Sequence, residues 1–400
     1  MKHLSMRSAA LVTFAAVLFA PASRAEDMLL SATAPLAKPR KTSDRSGPAD
    51  RVEFSIYVPG DVKTLRGAVM NPFHLKTAEQ EHWRQACRTW GFALIGANYF
   101  GVGKEQFAGT LQAALDNFAT RSGHPELRHV PLCFVGMSAG AGMSREFASA
   151  LPDRTLAVAA VCLEVAPDTD ALRGIPFLNV FGEKDGGQMK LHLEKLPVQR
   201  ALGARWGIAV QWGRKHEFAL ANNLVVPFFE DVIALRLPPD ADLSKGPAAL
   251  RPVPPDSGWL GDVTGWADKR HVAAVAPVGE YKGDAAVACW FPSARVAATW
   301  RALVTADPGV RITEPAGLGD NQPFQPQSTS KPVTVRVVLP EPGAAKVELF
   351  DGDKLLASKT AAPFAFEVTL EPGSHPLIAV AHPAGGGPAY SRPHTVIVVR

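Results

Sequence analysis

The sequence predicts an α/β protein, a mostly parallel sheet with helices on both faces, followed by a small all-β sandwich at the C-terminus. Three observations lead there. Between Arg51 and Arg236, short apolar runs alternate with segments whose apolar residues recur at helical spacing, as in strands joined by crossover helices. After Arg236 the alternation stops in a proline-dense stretch, "LPPDADLSKGPAALRPVPPDSG", which marks a connector. Beyond residue 333 the apolar period becomes two, the period of half-buried antiparallel strands.

Taken in order, the elements begin with residues 1–25, read as a secretory signal. Lys2 and Arg7 precede an apolar run from Ala9 to Ala20, and the small residues Ser23 and Ala25 are spaced for cleavage. The run is too short to span a bilayer, and no cysteine follows it as a lipid acceptor, so no membrane anchor is expected. The expected location is periplasmic or extracellular. Removing this segment takes away three basic residues and no acids, which lowers the formal net charge from +4 to +1. A near-neutral chain gives no argument for nucleic acid or an anionic membrane as partner. Residues 26–50 read as an extended lead-in, with Lys38, Arg40, Lys41 and Arg45 in a solvated linker.

From Arg51 the strand candidates are "VEFSIYV", "RGAVMN", "GFALIGA", "VPLCFVG", "LAVAAVCL", "IPFLNVFG" and "GIAVQWG". Phe107, Leu111, Leu115 and Phe118 share a helix face, and further helices are expected over 77–89, 139–150, 188–201 and 217–236. These elements define a domain over 51–237. Residues 238–312 hold the connector and an appendage with Trp259, Trp266 and a helix after Pro292 carrying Val296, Trp300 and Leu303. Residues 313–332 form a second linker. Over 333–400, Val333, Val335 and Val337 alternate with polar partners, as do Phe364, Phe366, Val368 and Leu370, while "FDGD" and "LEPG" supply turns. None of Cys87, Cys133, Cys162 and Cys289 forms a CxxC pair, and Cys133 and Cys162 sit in apolar runs as small core residues.

Ligands of such sheets bind at the carboxyl ends of the strands. There Gly136, Ser138 and Gly140 form a GxSxG between "PLCFV" and a helix-forming segment. In a nucleophile elbow the serine is backbone-strained, so its neighbours must be small, and the helix N-terminus places N–H groups beside a developing oxyanion. The plain alternative is a tight corner in which Ser138 caps the helix. Ser144 lies inside the helix and reads as structural.

A serine nucleophile needs a base, and the base needs a carboxylate to hold its tautomer. With the order serine, acid, histidine, Asp185 at the end of "IPFLNVFGEKD" is the acid, ahead of Glu164, Asp168 and Asp170, and His216 is the base. His74, His82, His124 and His129 precede the serine; His192 falls in a helix, His271 in the appendage, and His375, His382 and His394 in the sandwich. One oxyanion donor is the N–H of Ala139. The second belongs to the loop "MNPFHLKT", where Pro72 has no N–H and Phe73 precedes His74 as candidate. Phe73 and His74 could equally line the acyl pocket, and Asn98, Tyr99 and Phe100 occupy another strand-end loop that could shape the substrate cleft.

Residues 51–236 thus resemble an α/β-hydrolase, similar in plan to secreted polyester depolymerases, dienelactone hydrolases and feruloyl or acetyl xylan esterases. "GMSAG", "GEKD" and "KHEF" carry the resemblance, which implies Ser138 as nucleophile, Asp185 as acid and His216 as base. The loop "MNPFHL" departs from it by lacking the HGG that many members use for the oxyanion hole. The last 70 or so residues resemble a bacterial immunoglobulin-like module. The implied activity is hydrolysis of carboxylic esters through an acyl-enzyme. With no long insertion to act as a lid, the cleft suits a bulky or polymeric ester, polysaccharide-linked or polyester.

No HExxH or calcium-loop carboxylate run occurs, so neither metal nor cofactor is expected. Two alternatives stay open: a serine peptidase with the same triad, and a non-catalytic polysaccharide-binding protein in which Trp259, Trp266 and Trp290 stack on sugars.

Overall fold

The computed structural model describes residues 26–267, 272–305, 309–318, 327–328, 331–340, 344–385 and 387–399. Residues 1–25, read above as a secretory signal, and His271 lie outside them. The elements of the first part are β1 (Met28–Pro35), β2 (Arg51–Val58), β3 (Gly67–Asn71), α1 (Glu81–Trp90), β4 (Phe92–Ala97), α2 (Phe107–Ser122), β5 (Leu132–Met137), α3 (Ala139–Ala150), β6 (Thr155–Val161), α4 (Asp170–Arg173), β7 (Phe177–Gly182), α5 (Gln188–Ala201), β8 (Trp206–Gln211) and α6 (Asn222–Arg236).

The eight strands form one sheet in the order β1-β2-β4-β3-β5-β6-β7-β8. β2 runs antiparallel to both its neighbours, and from β4 to β8 every pair is parallel. This is the α/β-hydrolase fold. Strands β4 and β6 to β8 are buried along their whole length, as expected when helices cover both faces. On one side Phe147 of α3 stacks between Phe134 of β5 and Phe107 of α2. Elsewhere α1 meets α6 through Trp83 on Phe229 and through Trp90 Nε1 donating to Glu230.

Three expectations change. The sheet already includes Met28–Pro35, ahead of the expected start at Arg51, because Met28, Leu30, Ala32 and Ala34 turn inward while the residues between them stay exposed, and β1 pairs with β2 along its whole length. Arg40 is buried, not solvated in a linker. It donates to the carbonyls of Asn98 (2.7 Å), Phe100 and Arg51, stapling the lead-in to the loop after β4; a guanidinium with three carbonyl acceptors can be buried where a lone charge cannot. Finally, α6 begins at Asn222 rather than residue 217.

The appendage comprises β9 (Trp259–Asp262), β10 (Val275–Pro277), β11 (Ala288–Phe291) and α7 (Ala294–Val304). The three strands form a small sheet in the order β10-β9-β11 against the outer edge of β8. An edge strand exposes unpaired backbone groups, and here side chains satisfy them. Trp300 Nε1 donates to the Ile208 carbonyl at 2.7 Å, and the Ile208 N–H donates to Cys289 Sγ at 3.2 Å. Gly207 permits this approach, since a Cβ there would lie 2.9 Å from the Phe291 ring. Trp266 and Trp290 are buried and Trp259 partly so, which makes them packing residues rather than a sugar platform.

The rest is a β-sandwich of β12 (Arg311–Glu314), β13 (Gln327–Ser328), β14 (Val333–Val338), β15 (Ala344–Asp351), β16 (Lys354–Lys359), β17 (Ala365–Val368), β18 (Gly373–Pro383), β19 (Ala389–Tyr390) and β20 (His394–Val399). One sheet is β12-β14-β17 and the other β13-β20-β18-β15-β16, with β19 on β18. Their inner faces bury Val335, Leu349, Phe366, Leu377 and Val396, the alternation legible in the sequence. Because β12 pairs with β14, the sandwich starts at Arg311, inside the stretch read as appendage and linker.

Candidate active site

The carboxyl ends of four adjacent strands converge here. β5 stops at Met137 and α3 starts at Ala139, leaving Ser138 alone between them at φ 54° and ψ −122°, a region costly for any residue with a Cβ. Two glycines make room for it. A Cβ on Gly136 would fall 2.4 Å from the backbone of Gly140, and one on Gly140 would fall 3.0 Å from Phe73 Cβ. The Ser138 N–H donates to the Val161 carbonyl at 2.8 Å, tying the turn to the end of β6. Ser138 is half-buried, and although it occupies the N-cap position its side chain makes no capping hydrogen bond. The capping alternative therefore has no contact behind it. Ser144 is buried and donates to the Gly140 carbonyl at 2.8 Å, as a structural serine would.

Asp185 follows β7 and His216 follows β8. Their loops are laced together by the N–H of Glu183 to Gln211 (3.0 Å) and of Lys184 to Arg214 (2.8 Å). Gly182 allows the loops to touch, because a Cβ there would meet the Lys215 carbonyl at 2.3 Å. The result is a hydrogen bond of 2.9 Å between His216 Nδ1 and Asp185 Oδ1. The carboxylate is 9% exposed and the imidazole side chain 47%, so the acid is enclosed while the ring reaches solvent. No hydrogen bond joins Ser138 Oγ to His216 among the described residues. Such contacts commonly tighten only when substrate binds.

The other acids are taken. Glu164 pairs with Lys195 at 2.5 Å, Asp168 with Arg145, and Asp170 with Arg173 at 2.5 Å. His192 is in α5 and buried, its Nδ1 on the Gln188 carbonyl at 2.7 Å, and burial lowers its pKa to about 4. It is a neutral core residue.

Around the serine, Ala139 supplies the first N–H of α3, which has no partner within the helix. Phe73 lies over Gly140, and its N–H is engaged by Asn71 Oδ1 at 3.1 Å. Asn71 is the residue that sequence reasoning misses; the signal for it is the Asn-Pro that favours such a side-chain turn. His74 is exposed at the start of a 3₁₀ turn, Leu75–Glu79. Tyr99 is not a cleft residue: it is fully buried, edge-on to Phe54, Phe107 and Phe147, with its hydroxyl 2.9 Å from Thr110 Oγ1. The neighbouring Phe100, half-buried, packs on Phe73 with ring centroids 5.4 Å apart. Strand-end position suggests both residues, and the pleat sends one of them inward.

No protein-family model matches the chain, and no curated protein matches it. Among solved structures it is similar to an S-formylglutathione hydrolase of Staphylococcus aureus (12% identity, TM-score 0.37, covering 52% of this chain and 97% of that one). A second is a cold-adapted esterase from an Arctic intertidal metagenomic library (15% identity, TM-score 0.37, 53% and 98%). A third is a set of fibronectin(III)-like modules of Clostridium thermocellum CbhA (26% identity, TM-score 0.20, 22% and 45%), of which the chain spans under half the length. The fold assignment rests on strand order, register and the turn at Ser138, not on these partial overlaps.

Proposed function

We propose that the chain is a secreted serine hydrolase that cleaves carboxylic esters, with Ser138 as nucleophile, His216 as base and Asp185 as the acid that orients it. The observations that carry the proposal are the strained, uncapped Ser138 between β5 and α3 and an enclosed Asp185–His216 pair after β7 and β8 of the same sheet. In this scheme Nδ1–H of His216 stays on Asp185, which leaves Nε2 with its lone pair free. Ser138 Oγ attacks the ester carbonyl and its proton passes to Nε2; the alcohol leaves with that proton, and water repeats the sequence on the acyl-enzyme.

The tetrahedral oxyanion is met by the N–H of Ala139 at the positive end of α3. The second donor comes from the 71–74 loop, where Phe73 N–H must exchange Asn71 Oδ1 for the oxyanion. The pair of Phe73 and Phe100 offers an apolar wall beside the elbow, suited to the acyl portion of a carbohydrate-linked or polyester substrate. The leader over 1–25 would deliver the enzyme to the periplasm or outside the cell.

A fluorophosphonate is expected to label Ser138, and Ser138→Ala to lower kcat/KM on short-chain activated esters by about 10⁵-fold. Full esterase activity in Ser138→Ala would overturn the proposal. Acetylated xylan, feruloyl sugars, polyhydroxyalkanoate and aminoacyl amides assayed in parallel identify the class of bond cleaved.

A further inference from the structure

Cys162 takes no part in the chemistry above, yet it lies against it. β6 runs between β5 and β7, so the residue after it sits between the ends that carry Ser138 and Asp185, and its φ of 56° turns the chain sharply there. A thiol, a carboxylate and an imidazole converge: the ligand atoms of Cys162, Asp185 and His216 lie within 4.8 Å of one another. Asp185 is 8% exposed, and its Oδ2 is buried with no hydrogen-bond partner among the described residues. A buried carboxylate oxygen in that state calls for a donor or a cation.

We propose that Cys162, Asp185 and His216 form a site for a zinc-like divalent cation, which switches the hydrolase off by capturing its base. Thiolate, imidazole and carboxylate are the donor set of borderline-soft divalent ions, and three protein ligands leave a fourth position for water. The half-exposed imidazole gives the ion its way in from solvent. Each ligand follows a different strand, so no spacing motif announces the site.

The proton balance explains the inhibition. On binding, the Cys162 S–H bond, which donates to the Glu217 carbonyl at 3.2 Å, is lost and its proton goes to solvent. The imidazole stays neutral, but Nδ1 gives its lone pair to the metal, so the ring proton moves to Nε2. Thiolate and carboxylate together neutralise the dication. An Nε2 that carries a proton cannot accept one from Ser138, and acylation stops. Because the thiol must give up its proton to bind, metal uptake competes with that proton. The inhibition rests on the proposed hydrolase; the binding does not.

Cobalt(II), titrated into the mature chain, is the probe, read by thiolate-to-cobalt charge-transfer absorption and by calorimetric stoichiometry, with zinc inhibition of ester turnover followed separately. One cobalt per chain with a charge-transfer band is expected. In Cys162→Ser the band disappears and binding weakens by at least about tenfold, and zinc inhibition, taken against that variant's own metal-free rate, weakens in step. Asp185→Asn weakens cobalt binding while keeping the band, and circular dichroism of each variant separates a lost ligand from a lost fold. The proposal fails if no band forms, or if a folded Cys162→Ser is inhibited as strongly as the parent. Cobalt binding without turnover of any ester would sink the hydrolase and leave the metal site standing, and turnover without binding would do the reverse.

Discussion

Ser138 can hold φ 54° and ψ −122° only because its surroundings leave the backbone no other course. Its N–H is fixed to Val161, α3 begins at the next residue, and Gly136 and Gly140 touch backbone to backbone across the turn. The two glycines are not equivalent. At Gly136 an added Cβ meets the carbonyl group of Gly140, which cannot move without unwinding α3; at Gly140 its tightest contact is the Phe73 side chain at 3.0 Å, with Asn71 Oδ1 at an ordinary 3.7 Å. Gly136→Ala is therefore expected to destabilise the chain by about 3 kcal/mol or more and to abolish activity, whereas Gly140→Ala should cost about 1 kcal/mol. Denaturant unfolding with activity measured on the same samples checks this, and equal effects at the two positions would contradict it. The residues of the candidate triad are legible in the sequence because each needs only a residue type, a strand before it and a chain order. Asn71 and the role of Cys162 are not, because what distinguishes them is a side-chain partner contributed from elsewhere in the fold.

β1 shows the same limit among the elements. Its alternation is present in "MLLSATAP", but the polar, proline-bearing stretch from Leu36 to Ala49 masks it, and what holds it down lies far off in sequence. Asp27 receives Arg88 at 2.6 Å and the Tyr57 hydroxyl at 3.0 Å, Arg121 donates to the Ser31 carbonyl, and Arg40 reaches the loop after β4. The helices over 139–150 and 188–201 and the seven core strands are legible from periodicity alone, since burial on one or both faces writes itself into composition. A chain beginning at Arg51 strips β1 from an edge whose partner residues Val52, Phe54, Ile56 and Val58 are buried. Its thermal midpoint should fall by on the order of 10 °C, and it should associate through the bared edge of β2. Light scattering and a melting curve test this together. A truncated chain that stays monomeric and melts as the chain from residue 26 does would show that β1 is dispensable.

For the whole molecule, the question is whether sandwich and sheet domain unfold together. Arg295 of α7 answers it through geometry: one guanidinium contacts Glu230 at 2.9 Å, Asp231, and the Ser374 carbonyl at 2.7 Å, joining appendage, α6 and β18. Ser374 returns its hydroxyl to Glu230. A second clamp lies at the start of α6, where Thr395 donates its N–H to Asn223 Oδ1 and its hydroxyl to the Asn223 carbonyl, both at 2.7 Å. Asn223 lies in the first turn of the helix that follows the candidate base, His216, so the sandwich braces that helix. Both junctions are polar and shielded from water, and leaving a buried polar group without its partner costs more than the hydrogen bond itself contributes when made. Separation of the two parts is thereby opposed, and the chain from residue 26 should melt in one calorimetric transition with matching van't Hoff enthalpy. Arg295→Ala would leave two partly buried carboxylates facing each other. Burial already raises Asp231 above the ordinary carboxylate range, with Arg295 opposing the shift, so loss of the arginine should cost about 3–5 kcal/mol. That corresponds to a fall of roughly 5–10 °C in the thermal midpoint, and partly protonated carboxylates at low pH should shrink the difference between parent and variant. Two resolved transitions in the parent chain, or a variant that melts with it, would mean that the sandwich is a tethered module and not part of the same cooperative unit.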